Sequence, residues 1–187
     1  MKKIAITGNI ASGKSTAQKI LQGKGYKVLD TDEAAHELLT AKNKELFDAF
    51  QNYDVFENGE FSREKMGQLI FSNPDLKKRL ESILHPLIAQ KIEEFFEQYR
   101  DENLVFVGIP LLFEAKMENL FDKIIFIYTD DDIRLERLMK RNNFSLEYAK
   151  SRLSSQMPQD EKMRKSTHVI LNNGSIKELE KSILTLV

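Results

Sequence analysis

One stretch constrains the fold of this chain more than any other. The short apolar run KIAIT leads without a break into GNIASGKST, residues 8–16. Gly8-x-x-x-x-Gly13-Lys14-Ser15 fits the G-x-x-x-x-G-K-[ST] pattern of a P-loop. Two glycines let the backbone fold tightly, so that successive N–H groups point inward at an anion. The residues that follow, TAQKILQGKG, read as a helix, so the same anion meets a helix N-terminus. Lys14 is placed to reach the β- and γ-phosphates, and the Ser15 hydroxyl to join the shell of a Mg²⁺ ion. A glycine turn beside a chance lysine would not arrive with strand, loop and helix in this order. Gly8, Ala11, Ser12, Gly13, Lys14, Ser15 and Thr16 are therefore expected to hold a nucleoside triphosphate, ATP.

The remaining apolar runs extend this to an α/β fold. Residues 3–7, 26–29, 104–109, 123–128 and 168–171 are short and rich in Ile, Val or Phe, as strands covered on both faces of a parallel sheet are. Helical patterns separate them, and the first helix is expected to stop at Gly23 to Gly25. A five-stranded parallel sheet flanked by helices follows. Between the second and third of these strands lies an interval too long for a simple crossover. Apolar residues recur in it at helical spacing, in ELFDAF, LKKRLESIL and PLIAQKIEEFFEQY. Pro74 and Pro86 each suit the first turn of a helix, with Asn73 and His85 before them as caps. The interval is thus a helical insertion. Phe47, Phe50, Phe95 and Phe96 within it read as core rather than cofactor contacts.

Composition narrows the function classes. With 28 basic and 29 acidic side chains the net charge is −1, which gives no support to a nucleic-acid binder working through a general basic surface. The absence of cysteine excludes disulfides, zinc thiolates and a cysteine nucleophile. No run resembles a signal peptide or membrane span, so a cytoplasmic enzyme is expected, with no membrane and no obligatory protein partner. His36, His85 and His168 have no companions at metal-ligand spacing.

The acceptor side is less determined. The second strand ends in LDTDEAAH, where Asp30 and Asp32 project on the same side of an extended segment toward the carboxyl edge of the sheet. Either could accept a proton from an attacking hydroxyl, and either could simply cap the next helix. Arg134, Arg137 and Arg141 share one helix face, as a solvated surface or as cations for a transferring phosphoryl group. Neither a GTPase D-x-x-G switch nor an N-K-x-D motif is present. The third strand ends VFVGIPLLFE, without the acidic pair of an ATPase motor. A small-molecule kinase remains.

Taken together, GNIASGKST, LDTDEAAH, FSNPDLKKRLESILHPLI, GIPLLFE, RLERLMKRNN and VILNNG resemble the dephospho-coenzyme A kinase family, collinearly and over nearly the whole chain. The family moves the ATP γ-phosphate to the ribose 3′-hydroxyl of dephospho-coenzyme A, the last step of coenzyme A biosynthesis. The resemblance implies a P-loop core over residues 1–31 and 101–187, a coenzyme A-binding insertion over 32–100 and a lid region over 130–157. It makes Asp32 the catalytic aspartate and Lys14 the P-loop lysine. It makes Arg141 the lid arginine, with Arg137 a second. The HP motif falls on His85 and Pro86 and the PLL-x-E motif on Pro110, Leu111, Leu112 and Glu114, on the substrate side, although His85 reads equally as a structural residue. Asn172, Asn173 and Gly174 sit where related kinases hold adenine. The chain departs from the family pattern at Asn9 and Ala11, where glycine is common, and at Arg134 and Thr167, where glutamine and aspartate are. The rival readings are another P-loop small-molecule kinase and a nucleotide-dependent switch that binds a protein.

Overall fold

A computed structural model describes residues 1–40 and 42–187. The chain runs β1 (Lys2–Thr7), α1 (Lys14–Gly23), β2 (Lys27–Asp30), α2 (Thr31–Leu38), α3 (Lys44–Phe50), β3 (Phe56–Glu57), β4 (Glu60–Phe61), α4 (Arg63–Ser72) and α5 (Pro74–Gln98). It continues with β5 (Leu104–Gly108), β6 (Lys123–Tyr128), α6 (Asp131–Asn142), α7 (Leu146–Ser154), α8 (Gln159–Lys165), β7 (His168–Leu171) and α9 (Ile176–Leu184). The five apolar runs form strands with bounds shifted by no more than one residue. They do so because stiff β-branched and aromatic side chains pack well where both faces of a sheet are covered. Chain packing divides the molecule into two units, residues 1–30 with 96–187 and residues 31–95.

In the larger unit the strands lie in the order β2-β5-β1-β6-β7, all parallel. The chain fills one side of β1 with β2 and β5 before crossing to β6 and β7. The order therefore reverses at β1, and the loop leaving its carboxyl end opens into the crevice where α/β sheets bind ligands. Ala17 and Leu21 on α1, and Leu179 and Ile183 on α9, recur at a spacing of four and so face one way. They close over Ile4, Ile6, Phe106, Ile125, Ile127 and Ile170 of the sheet. Burial of each such aliphatic side chain stabilises by roughly 1.5–3 kcal/mol. The start of α9 is fixed by a capping box in which Ser175 Oγ accepts from the Glu178 N–H and the Glu178 carboxylate accepts from the Ser175 N–H.

The smaller unit has its own core, in which Leu46, Phe50, Val55, Met66, Leu76, Leu80 and Ile83 are buried together. Asn43 caps α3 by accepting from the Leu46 N–H. Asn73 caps α5 as expected, its Oδ1 accepting from the N–H groups of Asp75 and Leu76. The interval is not wholly helical, because β3 and β4 form a hairpin. Its turn is Asn58-Gly59, both with positive φ (51° and 82°), the Asn-Gly signature of a tight hairpin. Two-residue strands are too short to show an alternating pattern, so the dipeptide was the only readable signal. Phe56 and Phe61 stack across the pair at 4.5 Å. Phe50 and Phe96 are core residues as expected, and Phe95 is half-buried, but Phe47 is 38% exposed.

The second proline departs from expectation. Pro86 does not open a helix; it lies inside α5, which runs unbroken from Pro74 to Gln98. His85 is therefore a mid-helix residue and no cap. The helix continues because apolar positions on both sides of the proline are buried, Leu80 and Ile83 before it and Ile92 after it. Pro86 has no N–H to give the Ser82 carbonyl, a loss the burial outweighs. Among the described residues, no helix is long and apolar enough to cross a membrane.

Pro86 is exposed and packs little, so Pro86→Ala should restore a helix hydrogen bond and raise unfolding stability by about 1–3 kcal/mol. Urea denaturation of the two proteins measures this. A loss of stability would mean that the pyrrolidine ring supports the smaller unit.

Candidate functional site

The loop between β1 and α1 is shaped by two glycines that tolerate no side chain. A Cβ on Gly8 would overlap Ser12 Oγ and approach the Ile127 carbonyl at 2.9 Å. Gly13 has φ 100°, and a Cβ there would overlap the Asn172 amide. Ala11 is also left-handed, with φ 63°. The position is thus conformationally constrained, and alanine there costs roughly 1–2 kcal/mol that the family's common glycine would not. Asn9 compensates on the other side of the same turn. It is buried, its Nδ2 donates to the Met157 carbonyl at 2.8 Å, and the adjoining Ile10 N–H donates to Gln156 Oε1 at 2.7 Å.

The inner wall of the loop is held by polar struts from the ends of β6 and β7. The Ser12 carbonyl accepts from Thr129 Oγ1 at 3.0 Å and from Asn172 Nδ2 at 2.8 Å. Thr129 and Asn172 are themselves buried, so these bonds form out of competition with water. Lys14, the first residue of α1, is 7% exposed, and its Nζ lies 3.2 Å from Gln18 Oε1 and 3.5 Å from Asp30 Oδ1. The first turn of α1 carries N–H groups for which the helix supplies no acceptor. Together with the ammonium they make a compact positive end at the reversal point of the sheet, suited to a polyphosphate.

The three arginines of α6 divide by depth. Arg134 is 3% exposed, its Nε donating to the Ile10 carbonyl at 3.0 Å and its Nη1 to Asp131 Oδ1 at 2.8 Å. Burial lowers its pKa, and the Asp131 carboxylate opposes that shift. Arg134 is thus a support for the loop, a role glutamine could share in part. Arg137 is half-buried and donates to the Asn172 carbonyl at 3.0 Å. Arg141 is exposed near the end of α6, with its Nε on Asn142 Oδ1. Asn173 Oδ1 accepts from the Asp130 N–H at 3.0 Å and so ties the loop after β7 to the start of α6. Thr167 settles its own departure locally, since its hydroxyl accepts from the Ile124 N–H and donates to the Ile124 carbonyl.

Beyond β5, Leu111 is half-buried and Leu112 fully buried in the core. Glu114 Oε1 lies 2.8 Å from Lys162 Nζ and accepts from the Met157 N–H. Lys162 is fully buried on α8 and also donates to the Pro110 carbonyl. Burial pushes its ammonium pKa down, and Glu114 opposes the shift. The larger unit therefore brings together the P-loop, Arg134, Arg137, Asn172, Asn173 and Glu114. Asp32, in the first turn of α2, and half-buried His85, within α5, belong to the smaller unit. The sequence reading missed Gln18, Thr129, Gln156 and Lys162. Thr129, Gln156 and Lys162 have partners distant in the chain, while Gln18 bonds Lys14 one helical turn back, in space left by Gly108, and no motif marks any of them.

A parallel sheet reversing at β1, a glycine loop and a helix opened by a buried lysine define a P-loop nucleotide-binding protein. A model of the family described as dephospho-CoA kinase matches residues 2–178. A dephospho-CoA kinase of Staphylococcus aureus is 42% identical over 190 residues, covering 100% of this chain and 92% of the relative. Among solved structures, one from Thermus thermophilus superposes with a TM-score of 0.84 at 35% identity, covering 99% of this chain and 95% of the other. A dephospho-CoA kinase from Campylobacter jejuni does so with a TM-score of 0.73, also at 35% identity, covering 98% and 94%. The chain belongs to the dephospho-CoA kinase family.

Glu114→Gln should destabilise the fold by about 3 kcal/mol, because it leaves the Lys162 ammonium buried without its counter-charge. Adding Lys162→Met should recover most of that loss. Chemical denaturation of the single and double variants reads both. Unchanged stability with weakened acceptor affinity would instead make Glu114 a substrate ligand.

Proposed function

We propose that this chain transfers the γ-phosphoryl group of ATP to the ribose 3′-hydroxyl of dephospho-coenzyme A, releasing ADP and coenzyme A. The carrying observation is the Lys14 ammonium, held at the head of α1 by Gln18 and Asp30, in a chain of this family. The hydroxyl oxygen attacks the γ-phosphorus while the bond to the β,γ-bridging oxygen breaks, and the hydroxyl proton passes to Asp32. No covalent enzyme intermediate is needed. Gly8, Ala11, Ser12, Gly13, Ser15 and Thr16 hold the phosphates by backbone and hydroxyl groups, and Lys14 meets the charge that grows on the β,γ-bridge.

Ser15 is exposed in the first turn of α1 and offers a hard oxygen donor. Among the described residues no group of three or more His, Asp or Glu could hold a metal. Both observations fit Mg²⁺, which takes few protein ligands and fills its shell with phosphate and water oxygens. When bound, Mg²⁺ neutralises β- and γ-phosphate charge. Arg141, on the surface of the lid region 130–157, adds positive charge to the transferring group. Arg137 and Asn173 flank the nucleotide. Residues 32–100 bind the coenzyme A moiety, with His85 and Leu111 on the acceptor side, while Leu112 and Glu114 support the segment after β5 that carries Leu111. The cytoplasm is the compartment assigned to this reaction.

The direct test is to incubate the protein with labelled ATP and a panel of small hydroxyl compounds. Label should pass to dephospho-coenzyme A and give coenzyme A. Transfer to a nucleoside, sugar or shikimate-type alcohol instead would assign a different kinase, and nucleotide-dependent protein binding without transfer would assign a switch. Asp32→Asn keeps size and shape but loses the basic carboxylate, so turnover should fall by about 10²–10⁴-fold at little change in thermal stability. Full turnover in a stable Asp32→Asn protein would end the general-base role and move it to Asp30.

A further inference from the structure

Lys14 does not hold its position alone. Gln18 stands one turn further along α1, on the same face, and is 2% exposed. Its Oε1 accepts from Lys14 Nζ at 3.2 Å, while among the described residues its Nε2 finds no hydrogen-bond partner. A long amide is an expensive group to bury in this way, since an unmet buried donor costs about 1–3 kcal/mol. The space for it exists because the facing residue is Gly108, the last residue of β5. A Cβ built on Gly108 would overlap the Gln18 amide. Gly108 is in register with Ile6 on one side and with Asp30 on the other. The missing side chain thus opens a slot at the carboxyl edge of the sheet, beside the strand end that carries Asp30 and next to the loop that follows β1.

We infer that Gln18, seated in the slot left by Gly108, is a positioning residue that presents the Lys14 ammonium to the β- and γ-phosphates. The chemistry explains why an amide stands there and not a carboxylate. A buried ammonium needs an acceptor. A neutral carbonyl oxygen supplies one without cancelling the charge, whereas a second carboxylate beside Asp30 would compete with the phosphates for Lys14. An apolar side chain of equal length would leave the lysine stem free to reach other acceptors. In positioning of this kind, a displacement of about 1 Å can cost on the order of 10²-fold in rate. The inference rests on the ATP-kinase reading above and concerns only how the lysine is aimed.

Three variants test it, each examined for turnover, for affinity toward a non-hydrolysable ATP analogue by calorimetry, and for thermal midpoint. Wild-type transfer to dephospho-coenzyme A is established first, so that failure of the kinase reading shows in the wild type and not in the variants. Gln18→Met should lower kcat roughly tenfold or more, weaken the analogue less than threefold, and leave the midpoint equal or higher. Gln18→Glu should keep the fold but weaken the analogue about tenfold, because the added carboxylate holds Lys14 back from the phosphates. Gly108→Ala should reproduce the kcat loss by displacing the amide, without altering any group that meets substrate. Gln18→Met with kcat within twofold of wild type would overturn the inference even if Gly108→Ala failed to fold. So would activity losses that merely follow the loss of folded protein.

Discussion

The larger unit is arranged around a positive charge kept out of water at the head of α1. A buried ammonium is costly in isolation, and here it is held by a neutral amide, the carboxylate that ends β2 and a local field of backbone N–H dipoles. Nearly everything else in the larger unit can be read as serving that point. The parallel sheet puts the charge at its line of reversal. The apolar contacts of α1 and α9 fix the helix that carries it. The two glycines let the loop turn tightly against Ser12, Ile127 and Asn172.

The loop is held mainly by polar contacts. Thr129 and Asn172 grip the Ser12 carbonyl, Arg134 grips that of Ile10, and Gln156 and the Met157 carbonyl take up Ile10 and Asn9. Buried hydrogen bonds are directional where apolar packing is not, and a phosphate cradle needs direction more than adhesion. Two of these struts come from residues 156 and 157 and one from α6, the region assigned here to the lid. The same segment is fixed from behind by the Glu114–Lys162 pair. The loop after β1, α6 and residues 156 and 157 are therefore one polar assembly.

Much of this was legible in the sequence, and what was not has physical reasons. The five strands and the P-loop announce themselves through local patterns, an apolar run or glycine spacing, which is why Lys2–Thr7 and Lys14–Gly23 could be read directly. Pro86 misled because the tertiary burial of α5 overrode a local preference. The β3–β4 hairpin was too short for its period to show. Asn172 lies in the segment where related kinases hold adenine, and the turn of its side chain inward to the Ser12 carbonyl, 160 residues away, is a contact no local pattern marks. Ala11 and Asn9 stand at x positions of the motif, which records neither the positive φ of the first nor the buried hydrogen bond of the second. Gln18 depends on the absence of a side chain 90 residues away at Gly108, a complementarity that no local pattern carries.

The central claim is that the charge of Lys14 was built for phosphate and not for the fold. Lys14→Ala isolates it. Turnover with ATP and dephospho-coenzyme A should fall by about 10²-fold or more, as when a preorganised transition-state contact is removed. The thermal midpoint should hold or rise, because a buried charge has been deleted. Near-normal turnover, or an inactive protein that has simply lost its fold, would contradict the account.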